Sequence, residues 1–213
     1  MSGALRPEHD RAFLGGVKKG EQTRNAVLDQ AVEVARRSGL DGLTIGTLAE
    51  QANLSKSGLY AHFKSKEVLQ IQVLERARAA FEEAVGRLVL RTPRGEPRLR
   101  ALFDRWLAWD ALPGGCPFIA ASTEFDDRPG PVRDRLVRDE RDLFDLIATI
   151  VRSAVSEGHF AAGTDAEQFA QDFYGVILAR HHAARLLADP RADERARRAF
   201  EALVAAARPD ASR

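Results

Sequence analysis

Residues 44–66 read TIGTLAEQANLSKSGLYAHFKSK. The apolar positions Ile45, Leu48, Ala49, Leu54, Leu59 and Phe63 fall at helical spacing on either side of Ala52-Asn53, which predicts two short helices joined by a tight turn. Thr44 is placed to cap the first of them and Ser55 the second, each offering an oxygen to free backbone N–H groups. Between the inward positions of the second helix sit Lys56, Ser57, Gly58, Tyr60, Ala61, His62 and Lys64. Such a helix anchors its Leu/Phe side on a small core and turns donors, cations and an aromatic ring outward. A helix-turn-helix that enters the DNA major groove needs this layout. The alternative, two ordinary core helices, gives no reason for so polar an outer face.

The flanks read as further helices. From Gln22, the positions Ala26, Val27, Ala31, Val34 and Ala35 mark an amphipathic helix that ends at Ser38-Gly39, where glycine suits a left-handed cap. Ser65 is placed to cap a long helix from Lys66 to about Leu90, with Val68, Leu69, Val73, Ala77, Phe81 and Val85 inward. Thr92–Pro97 reads as a break. Next come helices over about Leu99–Leu112, Phe118–Glu124, Val132–Ser156, Asp165–Leu187 and Ala192–Ala207, with Thr164-Asp165-Ala166-Glu167 as a capping box. No run alternates with period two. The expected fold is all-α with about nine helices: a flexible arm over 1–20, a helix-turn-helix domain over 21–66, a connecting helix and linker over 67–95, and a helical C-terminal domain over 96–213. Asn53, in the tight turn, tolerates left-handed backbone.

Composition restricts the function classes. The 213 residues carry a formal charge of only +1, so the chain as a whole does not advertise nucleic acid. Its five lysines, Lys18, Lys19, Lys56, Lys64 and Lys66, all precede residue 67. Residues 1–70 hold ten Lys/Arg against eight Asp/Glu, while the remainder is slightly acidic. The one cysteine, Cys116, cannot form an intrachain disulfide and suits a reducing cytoplasm. No apolar run reaches the roughly 18 residues of a membrane span, and the N-terminus has no apolar signal stretch. The chain is expected to be cytoplasmic. It contains no Gly-rich phosphate loop, nucleophile elbow or zinc signature, so enzymatic chemistry and a metal cofactor are not expected.

The run SGLDGLTIGTLAEQANLSKSGLYAHFKSKEVL, with Thr44, Leu59, Tyr60, His62, Phe63, Lys66, Glu67 and Leu69, resembles the TetR family of transcriptional regulators over roughly residues 22–75. The resemblance implies a homodimeric repressor with two recognition helices in successive major grooves of a palindromic operator. It also implies release by a small-molecule effector held in the C-terminal domain. Carried onto this chain, Thr44, Tyr60 and Lys66 become phosphate contacts, and Lys56, Ser57, Gly58, Ala61 and His62 meet or approach base edges. Gly58 stands where relatives often carry Thr, at a cost of about 1 kcal/mol of helix propensity.

Other residues admit two readings. Phe103, Trp106, Trp109, Phe118, Phe125, Phe144 and Tyr174 are core aromatics of which a subset would line an apolar effector pocket. Cys116, between Gly115 and Pro117, is either a small apolar residue or a thiol sensing oxidants or electrophiles. His181 and His182 point about 100° apart on a helix and do not make a metal pair, but His181 could reach a polar effector. Glu124, Asp126 and Asp127 beside Arg128, Arg133 and Arg135 read as a solvated ion-pair surface. A weakly specific architectural DNA binder is the remaining alternative, disfavoured by a C-terminal body of effector-binding size. The two long helices over 132–156 and 165–187 are the expected dimer interface.

Overall fold

A computed structural model describes residues 24–52 and 55–209, and among them every regular element is helical. Helix α1 spans residues 24–38. Then come α2 (Ile45–Ala52), α3 (Lys56–Phe63) and α4, which runs Lys66–Phe81, passes through a π turn at Glu82–Gly86 and continues over Arg87–Arg91. The rest is α5 (Glu96–Asp110), α6 (Pro117–Phe125), α7 (Pro131–Ser156), α8 (Ala166–Arg185) and α9 (Ala192–Ala207). With α4 taken as one run, the described residues hold nine helices, as expected. The arm over 1–20, and the expectations for Asn53 and Leu54, lie outside the described residues.

The local chemistry explains most boundaries. Gly39 closes α1 with φ 78°. Thr44 Oγ1 accepts from Thr47 N at 3.0 Å while Thr47 Oγ1 accepts from Thr44 N at 3.1 Å, a reciprocal cap on α2. Ser55 accepts from Gly58 N at 3.1 Å and Ser65 from Val68 N at 3.2 Å, opening α3 and α4. Two expectations fail locally. The cap of α8 is Asp165, which accepts from Gln168 N at 2.9 Å, one residue later than the expected box; Thr164 Oγ1 turns to Ala207 O instead. The break after α4 ends at Gly95 (φ 82°), and Pro97 belongs to the first turn of α5, where its missing N–H costs nothing.

Two apolar clusters meet along α4. The first joins α1–α3 through Ala31, Leu43, Leu48, Leu59 and Phe63, takes in Leu69, Val73 and Ala77 of α4, and extends to Phe125 of α6 and Leu136 of α7. The second is built on α5, α7, α8 and α9, where Phe103 stacks on Phe200 at 4.1 Å between centroids and meets Phe173 edge-on at 5.9 Å. Val85 and Val89, at the far end of α4, belong to this second cluster. Each fully buried Leu or Phe contributes about 1.5–3 kcal/mol. Val68, expected inward, is 36% exposed because the buried stripe of α4 begins one residue later at Leu69. Leu187, also expected inside, lies beyond the end of α8 and is 63% exposed.

Candidate nucleic-acid interface and interior cavity

Leu59 and Phe63 of α3 are fully buried, which aims the rest of the helix outward. Lys56, Ser57, Gly58, Tyr60, Ala61 and His62 are all exposed, together with Thr44 at the start of α2. The sequence-derived contact residues of α2 and α3 are thus all open to solvent. A methyl group at Gly58 would stand 3.1 Å from Ser55 Oγ, so glycine there leaves room for the cap. The chain then turns sharply at Lys64, whose φ of 58° is unusual for a side-chain-bearing residue; its N–H bonds Tyr60 O at 3.0 Å. Lys66 Nζ donates to Asp41 O at 2.7 Å and to Asp41 Oδ1 at 2.9 Å. Arg128 also pairs with Asp41, and the bonds from Lys66 and then Arg128 hold that carboxyl below the usual range. Lys66 therefore has one of its three donors left for a phosphate.

The end of α1 is docked on the loop between α5 and α6. Arg36, 4% exposed, donates to Gly115 O, and its guanidinium lies 4.0 Å above the Trp109 ring. Desolvation lowers its pKa despite Cys116, Glu33 and Asp110 nearby. Beneath the loop, the Asp110 carboxylate accepts from Arg180 Nη1 at 2.6 Å, bonds His181 Nδ1 at 2.7 Å and accepts from Cys116 N at 2.9 Å. Burial pushes that carboxyl up, but His181, Arg180 and the Cys116 amide outweigh it and the net shift is downward.

A cavity of about 130 Å³ opens among α4, α5, α6, α7 and α8. Trp106, Cys116, Phe118 and Tyr174 line it, as the sequence suggested for a pocket. Phe103, Trp109, Phe125, Phe144 and His181 do not. Phe103 is stacked within the second cluster, Trp109 lies under Arg36, Phe125 belongs to the first cluster, Phe144 packs edge-on against Tyr174, and His181 is held by Asp110. The walls that the sequence reading missed include Phe81, Glu82 and Gly86 at the π turn, and Asp139, Glu140 and Leu143 on α7. Tyr174 OH donates to Glu140 Oε1 at 3.3 Å, and Ser122 Oγ donates to the same oxygen. Burial and then Glu140 push the tyrosine pKa well up, so the phenol stays protonated. Burial likewise pushes the Cys116 thiol up, outweighing the backbone N–H groups of Ile119 and Phe118.

Two family models match this chain: residues 27–73 match bacterial regulatory proteins of the tetR family, and residues 95–200 match the tetracyclin repressor-like C-terminal domain. The chain belongs to the TetR family of transcriptional regulators. Members of this family are DNA-binding regulators and not enzymes. Among TetR-family relatives, the transcriptional repressor NicS of Pseudomonas putida is 34% identical over 93 residues, a stretch spanning 44% of this chain and 43% of NicS. The repressor NemR of Escherichia coli K12 is 23% identical over 169 residues, covering 77% of this chain and 84% of NemR. A TetR regulator from Chloroflexus aurantiacus superimposes with a TM-score of 0.78 at 25% identity, covering 88% of this chain and 95% of that one. No helix among the described residues is long and apolar enough to cross a membrane.

One missed wall residue carried a readable signal. Glu140 lies four residues after Leu136 and three and seven before Leu143 and Ile147, on the apolar stripe of α7. A carboxylate on a buried stripe must face either a partner or a cavity. The π turn carried none: EEAVG has no residue that departs from ordinary helix chemistry except Gly86.

Proposed function

We propose that this chain is a homodimeric repressor that grips a palindromic operator and leaves it when a small molecule fills the cavity. The observation that carries the reading is the course of α4. Its N-terminal half is fastened to the DNA-facing unit: Gln70 donates to Leu40 O at 2.9 Å, and Arg76 pairs with Asp29 of α1 at 2.6 Å. Its far half walls the cavity through Phe81, Glu82 and Gly86, at a π turn, an element that recurs at functional sites. A ligand that prefers a different position of that turn biases the placement of α3, and operator affinity falls by its differential affinity for the two states.

Dimerisation through α7 and α8 would set the two recognition helices one DNA turn apart, about 34–36 Å. The exposed apolar side chains Leu146 on α7 and Leu178 on α8 support that face. Thr44, Tyr60 and Lys66 would hold phosphates, with Lys56, Ser57, Gly58, Ala61 and His62 at the bases. The protein would work in the cytoplasm. The thiol-sensing alternative through Cys116 has less support, since a thiol 2% exposed and pushed toward its protonated form is a poor nucleophile.

Selection of genomic fragments by the purified protein, beside Tyr60→Ala, tests the reading. Enrichment of a palindrome that the variant loses is the expected result. Diffuse recovery without a motif would mean an architectural DNA binder instead.

A further inference from the structure

The cavity has a distinctive charge. Glu82, Asp139, Glu140 and Asp142 face it against a single cation, Arg78. Arg78 is already committed, with Nε on Glu82 at 2.9 Å and Nη1 on Asp139 at 2.6 Å and Asp142 at 2.7 Å. Arg135 adds a second bond to Asp139, at 2.8 Å. Glu140 is left over. Its partners are the hydroxyls of Ser122 and Tyr174, and among the described residues it joins no ion pair. Arg138 and Arg141 line an adjoining open groove, which shares Arg78, Asp139 and Asp142 with the cavity but not Glu140. Hydroxyl donors orient a carboxylate but do not neutralise it as a cation would, so Glu140 stands half-buried at the cavity wall without a counter-charge of its own.

The remaining walls suit a positive ligand. Phe81 meets Trp106 edge-on at 5.7 Å, and Tyr174 lies 5.9 Å from Trp106, so three neighbouring aromatic rings line the same cavity as the carboxylate, with Tyr174 in contact with it. Ring faces attract cations, most strongly where water is excluded. Trp106 is 2% exposed and its indole N–H has no hydrogen-bond partner. The volume, about 130 Å³, is close to that of cavities that admit one benzene ring, and the space is partly open to solvent, so a substituent on the ring can extend beyond it.

We propose that the cavity selects a compact organic monocation, its positive nitrogen beside Glu140 and its apolar body against Phe81, Trp106 and Phe118. This rests on the reading of the cavity as the effector site. Anions are excluded by the same carboxylates.

Three ligands of similar size test this on the full chain: phenyltrimethylammonium, its uncharged isostere tert-butylbenzene, and benzoate. Binding is read by the intrinsic fluorescence of the chain's two tryptophans, Trp106 and Trp109, without DNA. The cation is expected to bind at least about tenfold more tightly than the isostere, with benzoate weakest. Glu140→Gln is expected to remove most of the cation's advantage while leaving tert-butylbenzene unchanged. Equal binding of cation and isostere, or preference for benzoate, overturns the proposal on the unaltered chain alone, even if the variant does not fold. A cation that binds without releasing a selected operator fragment upholds the ligand class and overturns the effector role.

Discussion

Gly114 allows the most direct test of how the DNA-facing unit is docked on the rest of the molecule. The loop between α5 and α6 passes so close to α1 that a methyl group at Gly114 would stand 2.5 Å from Arg36 Cβ, 2.6 Å from its carbonyl carbon and 2.7 Å from its carbonyl oxygen. Two of those atoms are backbone and cannot swing aside. The residue also has φ 88°, left-handed backbone that costs a side-chain-bearing residue about 1–2 kcal/mol. Overpacking adds about 1–3 kcal/mol, so Gly114→Ala should lose about 2–5 kcal/mol in all. Gly158 separates the two contributions. It has φ 75° but nothing within 4 Å of an added methyl, so Gly158→Ala suffers the backbone cost alone. Gly163, with ordinary φ and open space, should tolerate alanine within about 0.5 kcal/mol. Urea unfolding of the three variants at one fixed protein concentration measures the differences. In thermal melts each kcal/mol corresponds to about 2–4 °C for a chain of this size. If Gly114→Ala were no more destabilising than Gly158→Ala, the close approach of the loop to α1 would be refuted.

Lys66→Ala should weaken binding to every DNA sequence and flatten the salt dependence by about one unit, whereas Lys56→Ala should also change the ranking of operator variants; uniform loss for Lys56→Ala in a competition binding assay would remove its base-reading role. Asp110 gives a pH prediction with a definite sign. Its pKa is lowered in the folded protein, so its bonds to His181 and Arg180 stabilise above the ordinary aspartate value, about 3.9, and that stability is lost as pH falls through the lowered folded value. Asp110→Asn should therefore be clearly less stable than the parent at pH 7, with the gap closing on acidification below about pH 4. A gap independent of pH in urea titrations would show that Asp110 acts through packing and not through charge.

The helices were largely legible because their information is local. The apolar spacing around Leu59 and Phe63, and the caps at Thr44, Ser55 and Ser65, depend only on residues a few positions apart, and the structure places the outward residues of α3 where that spacing puts them. The positive-φ turn at Lys64 was not legible, since a side-chain-bearing residue such as lysine rarely adopts that backbone. Five of the nine pocket candidates face elsewhere because an aromatic on a buried stripe contributes the same pattern whether it meets a neighbour or an empty space. Helical periodicity reports which side of a helix avoids water. It is silent on what the side chain meets there.

The sequence by itself thus determined an all-α chain, a recognition helix with its face, and the family to which the protein belongs, because these follow from periodicity, capping and motif. Only the tertiary structure decided that Arg36 seats α1 on the Gly114–Gly115 loop and that Glu140 is left unpaired at an aromatic cavity. It alone placed the π turn of α4 in the cavity wall. Those arrangements join residues dozens of positions apart, and their energetics depend on distances of a few ångströms that no local pattern encodes.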